Sequence, residues 1–181
     1  MPRLPELDPD ILTPEQQRVF DTITNGPRGS VRGPFAALLH CPGVADYVQA
    51  TGIHLRFDGV LPGVLRELAI LTTARFWKAE YEWNSHAPIA EKEGLSPVVI
   101  DAIADSQTPE FPSPDQPAVY AFCRELHETH NVGDAVYEQA IEALGLEAVM
   151  ELTAVAGYYT LISMVLNAFE VATPEGSTAL P

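Results

Sequence analysis

Leu65, Leu68, Ala69, Thr72, Phe76 and Ala79 recur at helical spacing, so one face of the stretch opened by Leu61-Pro62 is directed at a core. The same stretch, continued to Gly94, also carries Glu67, Glu80, Glu82 and His86, which a purely structural apolar helix does not need. It is the segment around which the rest of the chain is organised.

On its N-terminal side, residues 1–12 carry three prolines and alternate apolar with acidic positions, which suits an arm lying across a surface, its own or a neighbouring subunit's. Thr13-Pro14-Glu15-Gln16 reads as an N-cap, a first-turn proline and a capping-box glutamine, and Gly26 closes a helix over 14–25. A basic, glycine-rich turn, Arg28 to Gly33, leads into two short helical patterns over 34–40 and 43–56, separated by Pro42-Gly43. On the C-terminal side, Ser96-Pro97 opens a helix over 97–105, and four prolines within residues 106–117 mark a loop. Helices are predicted from about Gln116 to His130, from Gly133 to Gly145, and over 147–171, the last strongly apolar and expected to line both the core and a subunit interface. Its ELTAVAGYYTLIS faintly echoes ELAILTTARFWKA at Glu67, a pattern that internal duplication or helical composition alone would produce. Tyr158 and Tyr159 on it are read as core packing within reach of a pocket.

Glu67 and His86 are nineteen residues apart, which along one straight helix is about 28 Å. They share a site only if the helix breaks and doubles back, and the break is expected near Trp77 to Glu80, although no glycine or proline marks it. Pro88 predicts a kink beside His86, since it lacks an N–H and crowds the carbonyl of Asn84. Glu82 and His86, four apart, lie on one helix face. Such a pair is either a surface ion pair or an acid–base couple, because a carboxylate raises the imidazole pKa and orients its ring. Trp77 and Trp83 read as core or interface anchors. His127 and His130 do not form an HExxH pattern and are read as helix-end residues; His40 and His54 are read as structural.

The formal charge of −15, from 25 acidic and 10 basic residues in 181, disfavours nucleic acid and anionic membrane as partners. No uninterrupted run of about 18 apolar residues is present to cross a bilayer, and residues 1–16 lack a basic segment followed by an apolar one. A cytoplasmic, single-domain protein is the reading. Against that scarcity of cations, Arg28 and Arg32 are candidates for holding a carboxylate, with a surface or interface ion pair as the other reading. Cys41 and Cys123 match no zinc or CxxC spacing, and both are read as buried apolar thiols.

Arg66-Glu67-Leu68, Glu80-Tyr81-Glu82-Trp83, His86, Ala87, Ala90 and Gly94-Leu95-Ser96, with the upstream RGPFAALLHCPGVAD, resemble the carboxymuconolactone decarboxylase family, which shares its fold with the alkyl hydroperoxidase D proteins. The resemblance runs over about residues 28–173, leaving 1–27 as an N-terminal arm and helix and 174–181 as a tail. It implies an all-α subunit with a central helical hairpin, assembled as a homotrimer or homohexamer, and no cofactor. The hydroperoxidase branch carries a redox CxxC before the histidine; in this chain those positions are Ala79 and Glu82, so thiol peroxidase chemistry is not expected.

The resemblance implies that Glu67, Glu82 and His86 face a common pocket as the catalytic group. The expected reaction is cofactor-independent decarboxylation, or a related proton transfer, on a small carboxylated lactone or keto acid. His86 is expected to move the proton, Glu82 to orient it, and Glu67, its pKa raised by burial, to complete the relay. Arg32, Tyr81 and Trp83 are placed as substrate-binding residues. No metal is assigned, although Glu67, Glu82 and His86 have ligand types suited to a divalent ion; a non-catalytic binding or assembly role is the remaining alternative.

Overall fold

Thr13 fixes the start of the first helix through a reciprocal capping box, its Oγ1 accepting from the Gln16 N–H at 3.3 Å while Gln16 Oε1 accepts from the Thr13 N–H at 3.0 Å. The protein is described by a computed structural model over residues 3–181. The described residues form nine α-helices and no strand: α1 (Pro14–Asn25), α2 (Pro34–Leu38), α3 (Pro42–Ile53), α4 (Gly63–Phe76), α5 (Glu80–Lys92), α6 (Pro97–Ala104), α7 (Gln116–Thr129), α8 (Asp134–Leu144) and α9 (Leu146–Ala168). A proline in the first turn opens α1, α2, α3, α6 and α7, where its missing N–H costs no hydrogen bond. The all-α expectation holds, and α1 adds Val19 and Ile23 to the same core as the later helices.

Helix α4 is central because over two full turns it is buried on every side. Every residue from Glu67 to Ala74 is buried, and α4 packs against α5, α7 and α9. Helix α9 is long and apolar enough to cross a membrane by length and composition alone, yet half of its most apolar window is buried inside the bundle. Glu151 on α9, the residue that echoes Glu67, holds the chain entering α4. Its two carboxylate oxygens accept from the backbone N–H groups of Val60 at 2.7 Å and Leu61 at 2.9 Å, against the bare face of Gly59.

The predicted reversal is present between Phe76 and Glu80. It is a Schellman closure: Ala79 N–H donates to Ala74 O at 2.9 Å, Lys78 N–H donates to Arg75 O at 3.1 Å, and Lys78 takes the left-handed conformation at φ +50° that glycine normally supplies. A lysine is tolerated there because the turn is tied to α9, with Asn167 Nδ2 donating to Trp77 O at 2.7 Å and Trp77 Nε1 to Thr160 Oγ1 at 3.1 Å. Lys78→Gly is therefore expected to stabilise the fold by about 1 kcal/mol, read as a higher denaturant midpoint with unchanged slope.

Helix α5 continues past the internal Pro88 and runs from Glu80 to Lys92. Other expectations change. The pattern over 43–56 is an α-helix to Ile53 followed by a π turn, His54–Asp58. Cys41 is exposed rather than buried, because it sits in the turn between α2 and α3 as the residue before Pro42, where proline sterics favour non-helical backbone; Cys123 is buried in the core. The arm lies on its own chain: Arg3 pairs with Glu170 at 2.7 Å, and His40 Nε2 donates to Pro5 O at 3.1 Å. Met1 and Pro2 fall outside the described residues.

Candidate active site

The reversal after α4 sets α5 back alongside it, and Glu67 and His86 become neighbours. His86 Nδ1 donates to Glu67 Oε2 at 2.6 Å, both side chains being nearly inaccessible, and His86 Nε2 lies 3.1 Å from Glu82 Oε1 in an ion pair. On the far side of Glu67, Arg66 Nε stands 3.6 Å from Oε1. Charges thus alternate along one line: guanidinium, carboxylate, imidazole, carboxylate. Glu82 sits in the first turn of α5, where the helix dipole favours a negative group.

Burial alone would push the His86 pKa down, since it penalises the charged ring. The Glu67 hydrogen bond and the Glu82 carboxylate outweigh it and carry the pKa up to about 9. At neutral pH the ring is therefore an imidazolium with both N–H groups occupied, an acid rather than a base.

The line ends at a cleft of about 310 Å³. Glu82 and His86 line it; Glu67 does not, so the common pocket expected for all three is corrected. Glu67 lies behind the imidazole and fixes its tautomer and orientation, the role expected of Glu82. It has no route to a substrate carbon as a direct acid. The three groups also do not converge on one point, because the two carboxylates sit on opposite nitrogens of one ring. A single ion bound at Nε2 has at most Glu82 and His86 as ligands, with Glu67 in outer support.

Arg32 and Tyr81 line the cleft, as expected. Burial raises the Tyr81 pKa against the pull of Arg32. Gly33, at φ +56°, has no Cβ to strike the Tyr81 ring, which would lie 2.3 Å away. Trp83 is corrected: one residue past Glu82 it is rotated about 100° around the helix, and it lines a separate groove with α6 and the tail. Thr178–Pro181 of the tail line that groove, where Asn84 exchanges two 2.9 Å hydrogen bonds with the Thr178 backbone.

Arg28, Arg56, Tyr158 and Tyr159 also line the cleft. Arg28 is one of the two arginines that sequence offers as a carboxylate holder, and the tyrosines do more than pack the core; Arg56 is a residue that sequence reasoning missed. Its signal is the absence of any acidic residue three or four positions away, so no local helical ion pair accounts for it. It is delivered by the π turn, and such turns cluster at functional sites. None of Arg28, Arg32 and Arg56 has a carboxylate within 4.0 Å among the described residues, so three of the chain's ten cations stand unpaired around one cleft.

The second histidine cluster is structural. His127 stacks on Phe76 at 5.0 Å, its Nε2 bonds Thr73 Oγ1 at 2.9 Å, and burial lowers its pKa, while His130 ends α7 in the left-handed conformation.

Residues 42–130 match the Carboxymuconolactone decarboxylase family. No curated protein matches the chain significantly. Among solved structures, the chain is similar to an uncharacterized peroxidase-related protein with an alkylhydroperoxidase AhpD core from Ralstonia eutropha JMP134, at 21% identity and TM-score 0.78 over 96% of this chain and 93% of that one. It is also similar to an uncharacterized peroxidase-related protein from Silicibacter sp. TM1040, at 15% identity and TM-score 0.73 over 97% and 93%. A variant of the debrominase Bmp8, solved in complex with 2,3,4-tribromopyrrole, matches at 15% identity and TM-score 0.70 over 90% and 87%. The chain has the all-α, AhpD-like fold of these structures, and Glu67, Glu82 and His86 all lie within the matched segment, 42–130.

Proposed function

We propose that the protein is a cofactor-independent acid–base enzyme that decarboxylates, or moves a proton on, a small carboxylated lactone or keto acid. The observation that carries this reading is the buried Glu67–His86–Glu82 line ending at a cleft with three unpaired arginines. A protonated imidazole beside a carboxylate supplies a proton to a carbon that has just lost carbon dioxide, and the arginines hold a carboxylate that stays on the substrate. Glu82 and His86 Nε2 act as one unit at the cleft wall, and Glu67 keeps the ring charged and oriented. The carboxylate at position 82 replaces a thiol, so the unit handles protons and not electrons.

The test is a screen of unsaturated lactone acids and β-keto acids, followed by ultraviolet absorbance and carbon dioxide release. Wild-type turnover of none of them, or turnover unaffected by both Glu82→Gln and His86→Gln, would sink the reading. In the same assay Arg56→Ala is expected to raise KM about 10-fold with a smaller change in kcat, the worth of one charged hydrogen bond.

Assembly as a homotrimer or homohexamer is part of this proposal. It is supported by Leu146, Met150, Leu161 and Met164, which leave an apolar stripe exposed along α9. Light scattering tests it, and a monomer at micromolar concentration would refute it.

A further inference from the structure

Tyr158 and Tyr159 stand where α9 closes the cleft. Tyr159 meets the His86 ring edge-on at 5.2 Å, and Tyr158 meets Tyr159 edge-on at 5.2 Å, so both phenols belong to the wall that carries the proton unit. Tyr158 Oη accepts from Arg28 Nη2 at 3.3 Å. A guanidinium only donates, so this contact uses an oxygen lone pair and leaves the phenolic O–H unspent. The Tyr158 O–H donates in no hydrogen bond among the described residues.

The pairing has a place made for it. A Cβ on Gly52 would lie 2.1 Å from Tyr158 Oη and 2.3 Å from Arg28 Nη2, so the bare glycine creates the notch in which the two groups meet. Arg28 is held from its other side by stacking 4.2 Å over the Phe35 ring. Burial pushes the Tyr158 pKa up to about 12 against the pull of Arg28, which keeps the phenol a donor throughout the neutral range.

We propose that Tyr158 is a catalytic residue that donates its O–H to the enolate oxygen formed as the substrate breaks down, with Arg28 as the positioning residue that orients it. The proposal rests on the acid–base reading above. In the decarboxylation, the bond between the carbon and its carboxylate breaks and carbon dioxide leaves. The electron pair of that bond forms a carbon–carbon double bond, and the carbonyl pair moves onto oxygen, where Tyr158 meets it. The enolate carbon then takes a proton from the Glu82–His86 unit, the carbonyl re-forms, and solvent returns the proton. A preorganised donor aimed at that oxygen favours the charged intermediate over the neutral ketone.

Two measurements on the full-length protein test this. Tyr158→Phe, which keeps the ring and its packing, is expected to lower kcat about 10²-fold on any substrate found in the screen, with KM changed little. The second needs no turnover: hydroxynitrobenzoate, a nitrophenol bearing a ring carboxylate, imitates the enolate when ionised. The wild type is expected to lower the apparent pKa of the bound phenol, and Tyr158→Phe to weaken the phenolate form at least about 10-fold while leaving nitrobenzoate binding unchanged, one lost hydrogen bond to a charged group. Gly52→Ala, which displaces the Tyr158–Arg28 pair, is expected to act in the same direction on phenolate and kcat. Failure of the wild type to bind the phenolate, or equal weakening of both probes, overturns the assignment. If no substrate is turned over, the acid–base reading fails and the phenolate result alone decides the role of Tyr158.

Discussion

Replacing Glu82 with glutamine is expected to lower kcat about 10³-fold, within the range for a positioned acid–base group, while the protein stays folded. The amide keeps the size of the side chain and an oxygen near His86 Nε2, but it neither holds the negative charge that keeps the ring protonated nor carries a proton. His86→Gln is expected to cost about as much, because the two act as a unit and losses within a unit do not add. The wild-type profile gives a second mark. With the His86 pKa raised to about 9, the acid form persists through neutral pH, so kcat/KM is expected to be flat from about pH 7 to 8 and to fall through about pH 9. A profile that falls through about 6.5, the ordinary histidine value, would show that the ring titrates free of its two carboxylates.

The helical frame was legible because its punctuation is chemical. Thr13 with Gln16, the prolines opening α3, α6 and α7, and Gly145 each mark a boundary that depends on one residue's backbone or side chain. Other boundaries left no mark. Lys78, Ser106 and Glu170 take a positive φ at the ends of α4, α6 and α9, where the glycine that announces such a turn, as Gly94 does after α5 and Gly145 after α8, is missing. The reversal at Trp77 was therefore inferred from the need to bring Glu67 to His86. Helix α9 was expected to reach 171 and stops at Ala168 for the same reason.

Of the site, the i,i+4 pair Glu82 and His86 followed from helical spacing and Glu67 from family resemblance. Arg28 was offered as a carboxylate holder and Tyr158 as within reach of a pocket, but their meeting with Arg56 in one cleft wall did not follow, because the three come from segments far apart in sequence and meet only through packing. Trp83 shows the converse. Adjacency in sequence to Glu82 suggested a shared pocket, but one residue along a helix is about 100° of rotation, and the ring points to the tail.

Stability is expected to fall by about 3 kcal/mol between about pH 6.5 and about pH 9, and His86 is the cause. Its folded pKa, about 9, lies above the ordinary histidine value of 6.5, so the folded state holds a proton that the unfolded state has released. The stabilisation is complete below about pH 6.5, declines by about 1.4 kcal/mol per pH unit above it, and is gone once pH passes the folded pKa. Cys123 adds to the fall at the alkaline end, since burial pushes its thiol up to about 12, so the wild type must be compared with His86→Gln at each pH. Urea midpoints taken at pH 6 and pH 9 are expected to differ much less in the variant. Glu67→Ala is expected to be the most damaging single change in the line, costing about 3–5 kcal/mol at pH 6, because it removes the buried partner of a charged ring and leaves that ring facing Arg66 across the space the carboxylate filled. The cost is expected to shrink at pH 9, where the ring can lose its proton. A Glu67→Ala deficit that is the same at both pH values would show that His86 is already neutral at pH 6, and the alternating line of charge would then not be the source of the acid.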